Sequence, residues 1–149
     1  MIAVLGCARG KAFLEEEMFI QPQFTLSLSK RRVLFVKEKE LKEAVSNLTA
    51  CIMAQAYPKS VFVEDFTVKS RKKIPEAFTT SLKNLTQESF INRWVEMSKT
   101  PDEAEVLIKG ELFWGGEGTD LVIFLKGWKD GRLVAACSQT VKVRVKDET

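Results

Sequence analysis

The 149-residue chain contains no histidine. That removes Ser-His and Cys-His nucleophilic pairs, imidazole acid–base catalysis and imidazole-ligated metals from its possible chemistry. Its three cysteines, Cys7, Cys51 and Cys137, are widely spaced, with no CxxC pair to suggest a zinc ribbon or a thioredoxin-like redox site. Glu64 and Asp65 are adjacent within the strand-like run SVFVEDFTV. Neighbours on a strand face opposite sides, so these carboxylates are badly placed to share one proton transfer. Gly115, Gly116 and Gly118 are followed by Thr119-Asp120 and another strand-like run, whereas a phosphate-cradling P-loop needs Lys-Ser/Thr and then a helix. No catalytic residue, metal or cofactor follows from these patterns. What remains are recognition groups: the pair Arg93-Trp94, Trp114 and Trp128 beside two turn clusters, and the basic loop residues Lys69, Arg71, Lys72 and Lys73. Tryptophan and arginine dominate binding hot spots, and a basic residue near an anionic membrane contributes about 1 kcal/mol. The plainer reading is that turn-proximal tryptophans close the ends of the core and the basic residues are solvated.

The elements that must position these side chains follow from periodicity. Three β-branched and aromatic runs between Glu103 and Val145 are separated by Gly115–Gly118 and by Lys129-Asp130-Gly131, which predicts two consecutive hairpins and a three-stranded meander. Upstream, Leu41, Val45, Leu48 and Ile52 form one helical stripe over Glu38–Ala56, ended by Tyr57-Pro58 because proline disfavours helix in the residue before it. Ser60–Val68 reads as one strand with two apolar faces. A second helix starts near Pro75 and runs to about Glu88, with Ser89–Met97 read as a further strand. Val33–Val36 reads as an edge strand. The fold class expected is α+β, a two-layer sandwich with a mixed four- to five-stranded sheet and both helices on one face.

Length predicts one domain. The boundary falls between an arm, residues 1–29, and a domain, residues 30–149. The net charge of +3 is mild, without the strongly basic stripe of a nucleic-acid binder. Neither Cys51, on the helix stripe, nor Cys137, within a strand, is expected to pair. Both read as buried thiols, although an oxidising periplasm would permit a bridge. At the N-terminus, Val4-Leu5-Gly6-Cys7 resembles a bacterial lipobox, in which a small residue precedes the cysteine that receives lipid; an ordinary cysteine is the other reading of the spacing.

Ala104 to Leu112, AEVLIKGEL, resembles the "D-Y-V-L-x-G" strand of the envelope lipoprotein domains grouped around the curli-secretion lipoprotein CsgG, with FlgO, LpoB, PelC and the TolB N-terminal domain. Leu121–Leu125 and Lys129–Ala136 match the hairpin and last strand of that group. Val61–Phe66 is similar to its "V-A-V-x-x-F" strand, and Asn92-Arg93 to its "V-V-D-R". The likeness covers roughly Leu41 to Val143. Val106 and Asn92 depart from the pattern, and no spare alternating segments are available for a membrane barrel.

The resemblance implies lipidation at Cys7, a place on the periplasmic face of the outer membrane, homo-oligomers and other envelope proteins as partners, and no cofactor. The expectation is a non-enzymatic accessory or assembly subunit of an export or envelope-assembly complex, PelC-like. The alternative is a cytosolic single-stranded RNA- or nucleotide-binding module, since small α+β sheets with exposed aromatics stack bases.

Overall fold

The computed structural model describes residues 21–28 and 32–147 of the chain. Cys7, the lipobox and most of the arm lie outside the described residues. Among the described residues, two helices, α1 (Glu38–Ala56) and α2 (Glu76–Ile91), accompany nine strands. The strands are β1 (Thr25–Leu28), β2 (Arg32–Phe35), β3 (Ser60–Val63), β4 (Thr67–Val68), β5 (Glu96–Met97), β6 (Val106–Phe113), β7 (Leu121–Lys129), β8 (Arg132–Val141) and β9 (Arg144–Asp147).

The main sheet has the order β5-β3-β6-β7-β8, with β4 also paired to β6. β3 runs parallel to both β5 and β6, while β6, β7 and β8 form an antiparallel meander. Leu121 pairs with Val141 and Leu125 with Cys137, so the expected meander is present. Its second turn is tight because Asp130 and Gly131 both take positive φ (51° and 78°), the two-residue geometry whose twist matches the flanking strands. Alternation decides the faces: Val106, Ile108 and Leu112 on β6, with Leu121, Ile123 and Leu125 on β7, are buried in one core with Leu41, Val45, Leu48 and Ile52 of α1 and Phe78, Leu82 and Phe90 of α2. Each such fully buried side chain contributes about 1.5–3 kcal/mol over its exposed state.

The strand expected over Ser60–Val68 is interrupted. Val63 lies opposite Ile108 and Thr67 opposite Glu111, so four steps on one side meet three on the other. The extra residue reverses the alternation and turns Phe66 into the core beside Val61 and Val63. Gly110 makes room for it.

The boundary expected at residue 30 cuts through paired structure. A 3₁₀ turn at Pro22–Phe24 leads into β1, which pairs with β2, and β2 pairs in turn with β9. The turn and this three-stranded sheet carry Phe24, Leu26 and Leu34 into the common core. Polar composition around residues 21–28 concealed a strand that only the distant C-terminal segment completes.

Ser89–Met97 also departs from the strand expected for it. Ser89, Phe90 and Ile91 continue α2, and strand geometry is confined to Glu96–Met97. Phe90 falls eight residues after Leu82, on the buried face of the same helix, and it therefore extends the stripe.

Cys51 and Cys137 form a disulfide, with Cα atoms 6.2 Å apart, which overturns the expectation of two thiols. α1 lies along β8 so that Asn47 meets Gln139, Cys51 meets Cys137 and Gln55 meets Ala136. From Asn47 to Cys51 four residues of helix advance about 6 Å and from Gln139 to Cys137 two of strand about 6.6 Å, so these two contacts stay matched. The Gln55 carboxamide accepts from the Ala136 N–H (2.9 Å) and donates to its carbonyl (3.3 Å), covering part of the edge strand as a neighbouring strand would.

Candidate functional site

Both helices end on an aromatic residue in the left-handed region, at one end of the main sheet. Tyr57 follows α1 with φ 47° and donates its N–H to the Met53 carbonyl (3.0 Å), a single-bond αL cap. Trp94 follows α2 with φ 66°. Its N–H reaches the Ile91 carbonyl (2.9 Å), and the Val95 N–H reaches that of Phe90 (3.1 Å). These two bonds make a Schellman cap, and the buried pair Phe90 and Val95 supplies its apolar contact. Glycine is the usual occupant of both positions; an L-residue there costs roughly 1–2 kcal/mol. Yet Trp94 is 95% exposed, Tyr57 77% and Ile91 53%. The Lys59 carbonyl accepts from the Glu96 N–H (3.0 Å), tying the segments after the two caps side by side.

Arg93, the residue before Trp94, lines a cleft of about 360 Å³ between α1 and α2. Lys42, Ser46, Glu88, Ser89, Asn92 and Arg93 give it polar walls, with Val45 and Leu85 as its apolar lining. Arg93 is held across the helices. Its Nε donates to Thr49 Oγ1 (3.3 Å) and its Nη2 to the Ser46 carbonyl (3.2 Å) and Oγ (3.3 Å). Thr49 Oγ1 and Ser89 Oγ share a further hydrogen bond of 2.6 Å. Lys42 pairs with Glu38 at 2.9 Å, and that hydrogen bond and charge raise its pKa above the ordinary lysine value.

The other expected contact residues lie elsewhere. Lys69, Arg71, Lys72 and Lys73 are exposed in the β4–α2 loop, where the Lys69 N–H meets the Leu112 carbonyl at the far end of β6. That is about 20 Å along the strand from the Trp94 end. Trp114 is a correction to the surface expected for it. Only 3% exposed, it donates its backbone N–H to Ser70 Oγ (3.0 Å) and closes the core, because alternation on β6 carries the residue after exposed Phe113 inward. Trp128 is half-buried on the outward face of the sheet, with Lys109 Nζ 5.7 Å from its ring centroid. On the same face, Phe113 and Phe124 meet edge to face at 5.2 Å. Of these rings, Trp128 has a face covered by the lysine.

Tyr57 was missed in the sequence. Its only local signal is an aromatic residue between a helical stripe and a proline, where a glycine cap would be expected.

No family model matches the chain, and no curated protein matches its sequence. Solved structures do match in fold. The LpoB C-terminal domain from Escherichia coli superposes with a TM-score of 0.55 at 8% identity, covering 68% of this chain and 98% of that one. The same domain from Salmonella enterica gives 0.51 at 10% identity with the same coverages. An NMR structure of E. coli LpoB gives 0.53 at 9%, covering 85% and 77%. The chain has the α+β fold of the LpoB C-terminal domain, a member of the group its sequence resembles.

Proposed function

We propose that this is a non-enzymatic domain of a bacterial envelope lipoprotein, anchored through Cys7 at the periplasmic face of the outer membrane. It acts as an accessory or assembly subunit of an export or envelope-assembly complex, in the manner of PelC, and docks through the end that carries Trp94 and Tyr57. Trp94 carries the reading: a large aromatic, almost fully exposed, fixed by a two-bond cap in a backbone conformation that disfavours it. Inference from such an outlier to function follows the direction in which strain is informative. The partner is another envelope protein or a second copy of the chain.

Two further observations support the compartment. The fold is that of LpoB, and Cys51–Cys137 is a structural disulfide of the kind that persists in oxidising compartments such as the periplasm. The basic loop from Lys69 to Lys73, at the other end, suits an anionic membrane or polymer surface. Single-stranded RNA binding is the weaker reading, since Trp128, named for base stacking, is half-buried with Lys109 over its ring.

The test is expression of the full gene product, with its native upstream region, in a bacterial host, with a photo-crosslinking amino acid in place of Trp94. The expected result is a diacylated Cys7 by mass spectrometry, an oxidised Cys51–Cys137 pair and a discrete crosslinked product in the envelope. A cytosolic protein with unmodified Cys7 and reduced cysteines rejects the proposal.

A further inference from the structure

We infer that the end of the domain opposite Trp94 faces the membrane, with the basic loop Lys69–Lys73 resting on anionic phospholipid headgroups. The inference rests on the anchored-lipoprotein reading above and adds which end of the domain meets the bilayer.

Lys69, Arg71, Lys72 and Lys73 are all exposed, and among the described residues none of the four makes an ion pair. The loop that carries them is pinned. The Lys69 N–H donates to the Leu112 carbonyl (2.9 Å), Ser70 Oγ accepts the Trp114 backbone N–H (3.0 Å), and Ile74 is buried in the core. The Lys72 stem lies over Gly116, where an added Cβ would stand 2.9 Å from it. Cations on a loop already ordered lose less freedom on meeting a surface.

The surplus of charge is confined to this end. Arg32 and residues 37–40, 69–76, 115–120 and 142–147 together hold ten Lys and Arg against six Asp and Glu, a surplus of four. The ion pairs among them, Arg32–Glu117 and Arg144–Glu40, use cations other than those of the loop. At the Trp94 end, Lys59 and residues 93–105 and 129–132 hold five cations and five anions. Attraction to a charged surface fades within a Debye length, about 8–10 Å at physiological salt, so the end that meets the bilayer decides the interaction.

The arm enters the domain at the same end. The Val36 N–H donates to the Phe24 carbonyl (3.0 Å), which sets the 3₁₀ turn Pro22–Phe24 beside the start of α1. Tyr57 lies about 28 Å away, at the other end of that 19-residue helix. Residues 8–20, thirteen in all, separate Cys7 from Gln21. A lipid on Cys7 therefore delivers the basic end to the bilayer at high local concentration, and cations each worth about fivefold in binding then set the orientation. Tyr57 and Trp94 face away from the membrane, toward a partner. A soluble acidic polymer has the charge but is not brought to this end by the chain.

Two measurements test this. The first is sedimentation of the unaltered, disulfide-bonded protein with vesicles. It should partition at least tenfold more strongly onto phosphatidylglycerol–phosphatidylethanolamine vesicles than onto phosphatidylcholine vesicles, and lose that preference between about 0.05 and 0.5 M salt. Changing Lys69, Arg71, Lys72 and Lys73 together to Gln should abolish the preference, whereas Lys59→Gln, Lys99→Gln and Arg132→Gln combined should keep it. The second measurement couples Cys7, the cysteine outside the disulfide, to a maleimide lipid in nanodiscs of the anionic mixture bearing gadolinium headgroups. Amide NMR signals of residues 69–73 should broaden at least threefold more than those of residues 93–97. Equal partition onto the two vesicles, a preference kept by the four-Gln variant, stronger binding to soluble alginate than to the anionic vesicles, or equal broadening at the two ends would each overturn the inference. The vesicle and salt comparisons use the unaltered protein, so they stand even if the four-Gln variant misfolds. Because Cys7 is coupled chemically, orientation is read apart from lipidation in the cell: an unmodified Cys7 there sinks the anchor alone, and equal partition sinks only the membrane-facing surface.

Discussion

Phe66 lies directly over Gly110: a Cβ added to the glycine would stand 2.2 Å from the Phe66 ring. The bulge between β3 and β4 turns that ring inward, and a bare backbone on β6 receives it. Gly110→Ala must therefore displace a buried aromatic, and overpacking of this kind costs about 1–3 kcal/mol. Urea titration should show a lower midpoint at unchanged slope. Phe66→Leu in the same background should recover part of the loss, and a Gly110→Ala protein as stable as the parent would contradict the packing described.

The disulfide closes a loop with a sequence separation of 86. Loop-closure entropy places its stabilisation at about 4–5 kcal/mol, with native disulfides of small secreted domains worth about 2–5. The Cys51→Ser, Cys137→Ser double variant should melt well below the parent by calorimetry. Reductant should lower the parent's melting temperature and leave the variant's unchanged.

Two tryptophans of identical chemistry should behave in opposite ways. Trp114→Ala opens the core and should cost about 3–5 kcal/mol. Trp94→Ala removes an exposed side chain and should stay within about 0.5 kcal/mol, and Trp94→Gly should gain about 0.5–1 kcal/mol by relieving the left-handed cap. Chemical denaturation of the three variants checks this. A destabilised Trp94→Gly would mean the indole contributes to folding, which weakens its assignment to docking.

Glu105 accepts the Lys59 backbone N–H at 2.7 Å and the Lys129 ammonium at 3.1 Å. The backbone hydrogen bond first, then Lys129, lowers its pKa below the ordinary carboxylate value. A pKa lower in the folded than in the unfolded chain contributes stability that is complete above the unfolded value of about 4.3 and fades as pH falls through the folded one. The stability difference between the parent and Glu105→Gln should hence be constant above about pH 6 and shrink on acidification. Urea midpoints from pH 7 to pH 3 measure it, and a difference independent of pH would remove Glu105 from the acid response.

Residue order alone determined the helix Glu38–Ala56 and the meander. A four-three-four stripe and a pair of Gly-containing turns are local signals, complete within a few residues of where they act. The absence of histidine likewise settled which chemistries were closed to the chain, and Arg93-Trp94 stood out as a recognition pair from residue type. Tertiary structure decided the rest. Cys51 meets Cys137 only because α1 lies along β8 with matched repeats, and β1 exists as a strand only because β2, itself completed by β9, sits beside it. Trp114 and Trp94 have the same side chain, but strand alternation buried one and a helix cap exposed the other. The cleft belongs to neither helix alone: Ser46 and Arg93 are 47 residues apart, and the pairing of surfaces that distant follows from how two amphipathic helices share one sheet, which local periodicity does not encode.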